Sequence, residues 1–243
     1  MTRTPTASTG HRARPGSRRE DIAAAAIELF LDRGVAATRV EDILAAAGVS
    51  VGSFYHHFRD KLSLAATVYL EHLQRFQRDL LVELDRHART EDAVRGLVLA
   101  YLRWAGADPR AMRYLAQCRE PHVAEISEGE EARLKQHFYG RLTGWLGERA
   151  AAGELRALPH EHSCALWLGP AEQLVRASID PSGHFAKPGA DALSAHLARA
   201  ERVLADAAWE ALRRPAPGDD ADDLERARHR AHLVGVVAVE HGT

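Results

Sequence analysis

The chain is poor in cysteine and in aromatic residues and has no long apolar run, and these shortages exclude several classes of protein. Its two cysteines, Cys118 and Cys164, match no metal or redox spacing, so a disulfide-stapled secreted domain is not expected. No apolar run approaches the roughly 20 residues of a membrane-spanning helix, and the N-terminus has no signal-peptide pattern. We therefore expect a cytoplasmic protein with reduced thiols and no membrane association.

A large net charge is also lacking. The chain carries 32 Lys and Arg against 34 Asp and Glu, so any affinity for nucleic acid must come from local clusters of charge. One such cluster is at the N-terminus, where residues 1–19 hold five arginines and no acidic residue. Residues 1–16 are rich in Thr, Ser, Pro and Gly, which predicts a disordered basic arm that can lie along phosphates or enter a minor groove.

What the chain does contain is helical periodicity, with 46% apolar residues to form a core. Ser17 and Glu20 form a capping box that begins a helix ending at Gly34, and Asp60 caps a long fourth helix. Later helices are predicted at about 61–87, 90–106, 109–119, 127–152, 159–179 and 189–213. The sequence has no alternating run rich in Val and Ile, which would indicate a strand. The predicted fold is therefore all-α with about nine helices.

We expect four segments along the chain. After the arm at 1–16, residues 17–62 are predicted to form a three-helix DNA-binding domain, and residues 63–214 a larger helical effector-binding and dimerisation domain. Residues 215–243 begin with a stretch rich in Pro, Gly and Asp, which indicates a linker followed by a C-terminal tail.

Residues 38–61 predict two short helices joined by a glycine turn. Thr38 and Glu41 form a capping box before a helix whose apolar face consists of Val40, Ile43, Leu44 and Ala47. Gly48 provides the left-handed turn, and Ser50 can cap a second helix that directs Phe54 inward. The outward face of that helix carries polar and aromatic groups without acids, namely Ser53, Tyr55, His56 and His57. Such a face suits phosphates and base edges in a major groove, which predicts a DNA-binding helix-turn-helix.

These residues resemble the DNA-binding signature of TetR-type transcriptional regulators. The resemblance runs from Thr38 through the Gly48 turn to Lys61 and Leu62, and residues 17–34 are similar to the first helix of that family. It covers about a fifth of the 243 residues. It implies a bacterial regulator without enzymatic activity, which is most simply a dimeric repressor released from a palindromic operator by a small molecule.

Nine residues are predicted to contact double-stranded DNA. Thr38 and Arg39, at the start of the second helix, can present N–H groups, a hydroxyl and a guanidinium to phosphate, and Lys61 brings a phosphate-directed charge. Gly52 permits close approach of the backbone. Val51 differs from the polar or basic residue that related sequences often carry, which leaves van der Waals contact to a thymine methyl. The full set is Thr38, Arg39, Ser50, Gly52, Ser53, Tyr55, His56, His57 and Lys61.

The resemblance also implies a ligand pocket and a dimer interface in the larger domain. Candidates for lining an apolar pocket with a few polar groups are Tyr69, His72, Phe76, Tyr101, Trp104, Tyr114, Cys118, Phe138 and Trp145. Each of them is also an ordinary core residue by pattern. Regulators of this type are similar in pairing their last two long helices with those of a second copy. The candidates for that interface are Leu166, Gly169, Leu174, Leu193, Leu197 and Leu204.

Other readings remain open beside this one. The same domain would serve an architectural or nucleoid-associated DNA binder that senses no ligand. Gly48-x-Ser50-x-Gly52 fits the nucleophile elbow of serine hydrolases, but that elbow needs a preceding strand, whereas the residues before Gly48 predict a helix. His160 and His162, two apart on a helix, do not share a face, so no metal site is expected. We expect no cofactor.

Overall fold

The structure is a computed structural model that describes residues 17–117, 121–179 and 192–215. Over these ranges the chain forms ten α-helices and no strand, which confirms the all-α prediction. They are α1 (Arg18–Ala37), α2 (Val40–Ala47), α3 (Val51–His57), α4 (Lys61–Arg86), α5 (Thr90–Ala107), α6 (Pro109–Gln117), α7 (Pro121–Ala151), α8 (His160–Trp167), α9 (Gly169–Ile179) and α10 (Leu193–Leu212). The predicted arm at 1–16, Cys118 and the tail from residue 216 lie outside the described residues.

Local capping explains where the first helix begins and is interrupted. The Glu20 N–H donates to Ser17 Oγ at 3.3 Å and the Ser17 N–H donates to Glu20 Oε2 at 3.0 Å, so the first predicted capping box is confirmed. Gly34 has φ of 83°, which breaks the regular helix at the predicted residue. A glycine is favoured there because it has no Cβ to clash in this left-handed conformation.

Two predicted helix boundaries are wrong, and proline explains both. The helix predicted at 159–179 is divided at Leu168 into α8 and α9, because Pro170 has no N–H with which to continue the ladder. The helix predicted to begin at Ser127 begins at Pro121, since proline suits the first turn of a helix. Ser127 is inside α7, where its hydroxyl donates to the Val123 carbonyl at 2.9 Å.

The described residues pack as two units. The first unit contains α1, α2, α3 and α6 with α4 up to Gln77 and α7 up to Gln136. Phe30, Ile43, Phe54 and Leu64 are among its buried residues. The Tyr114 hydroxyl donates to the Ala65 carbonyl at 3.0 Å, so α6 is part of this core. The domain boundary predicted between residues 62 and 63 stays a prediction. The first packing unit also contains residues beyond it, up to Gln77 and from Asp108 to Gln136.

The second unit contains α5, α8, α9 and α10 with the remaining parts of α4 and α7. α5 and α10 lie along one another, and the indole N–H of Trp167 donates to the Val94 carbonyl at 2.9 Å. Ion pairs between Arg95 and Asp206 and between Arg103 and Glu201 flank this contact. The unit therefore has a closed apolar core with charged edges.

Candidate nucleic-acid interface

The turn between α2 and α3 is built on one glycine. Gly48 has φ of 64° and ψ of 36°, and its N–H donates to the Leu44 carbonyl. The Val49 N–H donates to the same carbonyl at 3.1 Å. Ile43 and Leu44 are buried, so α2 presents its apolar face to the core while the chain reverses direction. This geometry is the C-terminal glycine cap expected of a helix-turn-helix.

The helix α3 has one side anchored in the core and one side free. The Ser50 hydroxyl accepts a hydrogen bond from the Ser53 N–H at 3.2 Å, which confirms its predicted role as the N-cap. Phe54 is fully buried and its ring lies 5.9 Å from that of Phe58. Tyr55, the next residue, is 56% exposed. The anchor thus orients the opposite side of α3 toward any partner.

The free side of α3 consists of two helical rows. Val51 and Tyr55, four residues apart, form one row and are exposed to similar extents, and Gly52 and His56 form the other. A Cβ built on Gly52 would meet no protein atom closer than 4.0 Å, so the backbone there is open to close approach. No acidic side chain belongs to α3. The surface suits an anionic, base-bearing partner.

The remaining predicted contacts lie at the margins of this surface. Arg39 is exposed, and its backbone N–H donates to Asp42 Oδ2 at 3.4 Å. Ser50 is exposed, while Ser53 and His57 are half-buried. Asp42 is also paired with Arg33 at 3.2 Å, which offsets its negative charge near the interface.

Two predictions about Thr38 are corrected by the structure. It does not cap α2, because Arg39 occupies the N-cap position. Its side chain is 1% exposed and its hydroxyl donates to the Gly34 carbonyl at 2.7 Å, with the Leu29 carbonyl at 3.3 Å. The hydroxyl is therefore not presented to phosphate. From the sequence alone, Thr38 could have capped either the end of α1 or the start of α2. The interruption at Gly34, three residues before α1 ends at Ala37, leaves a carbonyl that the Thr38 hydroxyl can reach.

Lys61 also has protein partners. Its ammonium donates to the Ala36 carbonyl at 3.0 Å and to the Thr38 carbonyl at 2.6 Å. Asp60 precedes it and caps α4 by accepting the Ser63 N–H at 2.7 Å, as predicted. That hydrogen bond, together with the neighbouring Arg59, holds the pKa of Asp60 below its usual value.

One exposed cation beside α3 was missed by sequence reasoning. The Arg59 side chain is 81% exposed, and its guanidinium donates to the adjacent Asp60 carboxylate at 3.0 Å. A basic residue directly after the last turn of α3 was the available signal. Its guanidinium can reach a phosphate next to the α3 surface.

The predicted pocket residues are divided between the two units. Tyr69, His72, Phe76 and Tyr114 belong to the first unit, and Tyr101, Trp104, Phe138 and Trp145 to the second. Tyr114, Tyr101 and Phe138 are buried core residues, and burial raises the pKa of Tyr101. Cys118 lies outside the described residues. Of this set, His72 lines a cleft in the first unit and Trp145 lines one in the second.

Each unit has a cleft. The cleft of the first unit measures about 780 Å³ and includes His72, whose pKa is lowered by burial and by the nearby Arg75 guanidinium. Ion pairs cross or border it between Arg19 and Glu71, Arg75 and Asp108, and Arg110 and Glu28. The cleft of the second unit measures about 390 Å³ and includes Trp145.

The predicted dimer residues fall into two groups. Leu166 is 41% exposed, and Gly169, Leu174 and Leu204 are half-buried. The prediction that Leu193 and Leu197 lie in a dimer interface is wrong. They are 4% and 1% exposed within a single chain and so have no surface left for a partner. Val203 on α10 is 65% exposed and was not among the candidates.

The features that suggested other chemistry have plain structural roles. Ser50 follows the helix α2 and caps α3, so the strand that a nucleophile elbow needs does not precede it. His160 contacts Thr143 Oγ1 at 2.8 Å, whereas His162 is exposed. Among the described residues there is no group of three or more metal-ligating side chains. No helix in the described ranges has the length and apolar character to cross a membrane.

Comparisons with known proteins agree with this geometry. Residues 22–68 match the family model described as bacterial regulatory proteins, tetR family. A 61-residue segment is 41% identical to the HTH-type transcriptional repressor KstR2 of Mycolicibacterium smegmatis, and it covers 25% of this chain and 30% of that protein. The match to this relative therefore spans less than a third of its length.

Solved structures extend the likeness to the whole fold. A TetR family transcription regulator from Marinobacter aquaeolei superposes with a TM-score of 0.60 at 19% identity, covering 82% of this chain and 97% of that one. The regulator FadR from Bacillus subtilis, in complex with stearoyl-CoA, superposes with a TM-score of 0.58 at 16% identity, covering 77% and 98%. Residues 22–68, which include the helix-turn-helix, are thus similar to bacterial regulatory proteins of the tetR family, and the chain shares the fold of solved regulators described by that family name.

Proposed function

We propose that this protein is a sequence-specific DNA-binding transcriptional regulator, acting as a dimeric repressor that a small molecule releases from a palindromic operator. The observation that carries the proposal is the division of α3 into a side fixed by buried Phe54 and a side that exposes Val51, Tyr55 and His56. A helix held in this way by a glycine turn is the element that enters a major groove in helix-turn-helix proteins.

The exposed residues have distinct roles in this proposal. Tyr55, His57, Arg39 and Arg59 contact phosphates and set the register of the protein on the duplex. Ser53 and His56 reach base edges with hydrogen bonds, and Val51 contacts a thymine methyl. Gly52 lets the backbone approach closely. Specificity therefore comes from a small number of side chains, most of them uncharged.

A single α3 reads too little DNA to select one site, which favours a dimer. The seven residues of α3 extend over about 10 Å, so one copy contacts only a few base pairs. Two copies would read two half-sites about one helical turn apart and thereby require a palindrome. Leu166 on α8 and Val203 on α10, both exposed and apolar, mark the surface of the second unit that we assign to the contact.

The effector is proposed to act through α4. That helix is continuous from Lys61 to Arg86, and its residues belong to the first unit up to Gln77 and to the second unit beyond it. A ligand that binds more tightly when α4 is shifted would change the spacing of the two α3 helices in the dimer. They would then no longer fit two adjacent major grooves. A coupling free energy of about 1–3 kcal/mol would weaken operator binding about 5- to 150-fold. Since the structurally similar FadR of Bacillus subtilis was solved with stearoyl-CoA, long-chain acyl-CoA is the first probe.

Footprinting of the purified protein across the DNA flanking its own coding region, over a salt series, tests the proposal. We expect a protected palindrome, and an apparent affinity that falls steeply as salt rises because phosphate contacts release counterions. Uniform coating without a protected site would instead support an architectural DNA binder. Adding stearoyl-CoA, and then shorter acyl-CoAs, to the protected complex tests release. Saturation with a ligand that leaves operator affinity unchanged would contradict the effector part of the proposal.

A further inference from the structure

The junction of α1, α2 and α4 contains a polar network that the proposed DNA contacts do not use. Gly34 interrupts α1, and its carbonyl accepts the buried Thr38 hydroxyl at 2.7 Å. The Ala36 carbonyl in the last turn of α1 and the Thr38 carbonyl just before α2 both accept hydrogen bonds from the Lys61 ammonium. Lys61 is the first residue of α4, so one side chain holds three helices together.

We propose that Lys61 is a positioning residue, which fixes the start of α2 against the first turn of α4 and does not serve chiefly as a phosphate contact. This inference rests on the proposed DNA-binding function and names a residue through which that function is set. An ammonium group has three N–H donors, and two of them are used on main-chain carbonyls. The Ala36 carbonyl is in the last turn of α1 and the Thr38 carbonyl lies between α1 and α2, and carbonyls at the end of a helix commonly accept hydrogen bonds from side chains.

The consequence for α3 follows from chain connectivity. The turn at Gly48 joins α2 to α3, and only Phe58, Arg59 and Asp60 separate α3 from α4. Phe58 is buried, and Asp60 is committed to capping α4. The Lys61 contact therefore closes a ring in which α2, α3 and the first turn of α4 hold one another. A shift at the start of α4 would carry the whole reading surface with it.

Two neighbouring positions offer matched comparisons. Thr38→Val perturbs the same junction without changing charge, because valine keeps the shape and loses only the hydroxyl. Arg59→Gln removes an exposed cation two residues from Lys61, whose guanidinium donates to the neighbouring Asp60 carboxylate. Lys61→Met removes both the charge and the donors while keeping an unbranched apolar stem.

The experiment measures affinity for the footprinted palindrome across a salt series for the full-length protein and these three variants. A positioning role predicts that Lys61→Met lowers affinity by about tenfold or more at every salt concentration, with a salt slope close to that of the wild type, and Thr38→Val should likewise keep the wild-type slope. Arg59→Gln should reduce the slope by about 1. The opposing outcome is that Lys61→Met behaves like Arg59→Gln, with the salt slope reduced by about 1 and affinity lost only at low salt. In that case Lys61 is a phosphate contact and the proposal is wrong. Unchanged affinity would also overturn it.

A second measurement uses the wild-type protein and needs neither DNA nor folding of a variant. The chain has three lysines, Lys61, Lys135 and Lys187, so amine acylation can be followed peptide by peptide. The Lys135 ammonium pairs with one carboxylate, that of Glu131 at 2.5 Å, on a side chain that is 48% exposed. A Lys61 ammonium held by two main-chain carbonyls should react at least about tenfold more slowly than that of Lys135. Equal rates would overturn the proposal even if Lys61→Met does not fold. Failure of the wild-type protein to protect a palindrome would contradict the proposed function, while this labelling would still report on the Lys61 contact.

Discussion

Phe54 and Tyr55 are adjacent in α3 and should respond oppositely to truncation. Phe54 is 0% exposed, and replacing a fully buried Phe by Ala costs about 3–5 kcal/mol of folding free energy. That is a large share of the roughly 5–15 kcal/mol by which a domain is stable. Tyr55 is 56% exposed, so Tyr55→Ala should change stability by no more than about 0.5 kcal/mol. The same substitution removes a contact from the proposed reading surface.

The assay pairs urea unfolding, followed by far-ultraviolet circular dichroism, with operator affinity by fluorescence anisotropy. We expect Phe54→Ala to lower the unfolding midpoint strongly, and Phe54→Leu to lower it less while the protein stays folded at low temperature. Tyr55→Ala should keep the wild-type midpoint and lose about 5- to 150-fold in affinity, equivalent to about 1–3 kcal/mol for one contact. A Tyr55→Ala protein destabilised as much as Phe54→Ala, or one binding operator like the wild type, would refute the assigned orientation of α3.

Three further predictions test the cap, the proposed dimer surface and a half-buried histidine. Ser50→Ala leaves the Ser53 N–H without its partner and should cost about 1 kcal/mol of stability, a loss that Ser50→Thr or Ser50→Asp should largely avoid in the same urea titration. Val203→Glu places a charge on an exposed apolar surface and should shift the protein toward monomer in sedimentation without lowering its melting temperature; an unchanged assembly would exclude Val203 from the interface. Because the folded-state pKa of His72 is lowered from 6.5, the unfolded chain binds the proton more readily, so stability should fall as pH drops through and below 6.5. His72→Gln should flatten that dependence in unfolding measured between pH 5 and 8 (about the range in which histidine titrates), and an unaltered pH profile would show that His72 is not responsible.

The predicted elements that depend on short-range chemistry are found where the sequence places them. The Ser17 and Glu20 capping box, the Gly48 turn and the Ser50 cap each need only residues within four positions of one another. Their hydrogen bonds form in any context that allows a helix to start or stop. The buried position of Phe54 likewise follows from the helical period and the apolar face of α2.

The errors arise where one sequence pattern is compatible with more than one set of contacts. Thr38 reads as a cap for α2, but the interruption of α1 at Gly34 places its hydroxyl against the Leu29 and Gly34 carbonyls. Leu193 and Leu197 read as an interface stripe, but α10 turns that stripe toward its own chain. Any amphipathic helix can bury its apolar side against its own domain or a second copy, and periodicity does not distinguish the two.

By itself the sequence determined that the protein is helical and that it carries a helix-turn-helix built on a glycine turn, because helix periods, caps and left-handed turns are local properties of the chain. Tertiary structure alone decided that Lys61 reaches back 23 residues to the Thr38 carbonyl and that Tyr114 of α6 joins the core of the first unit. It also decided that Val203 is left exposed. A hydrogen bond or a buried surface between distant residues exists only once helices have packed, and the packing depends on the fit of all their side chains together.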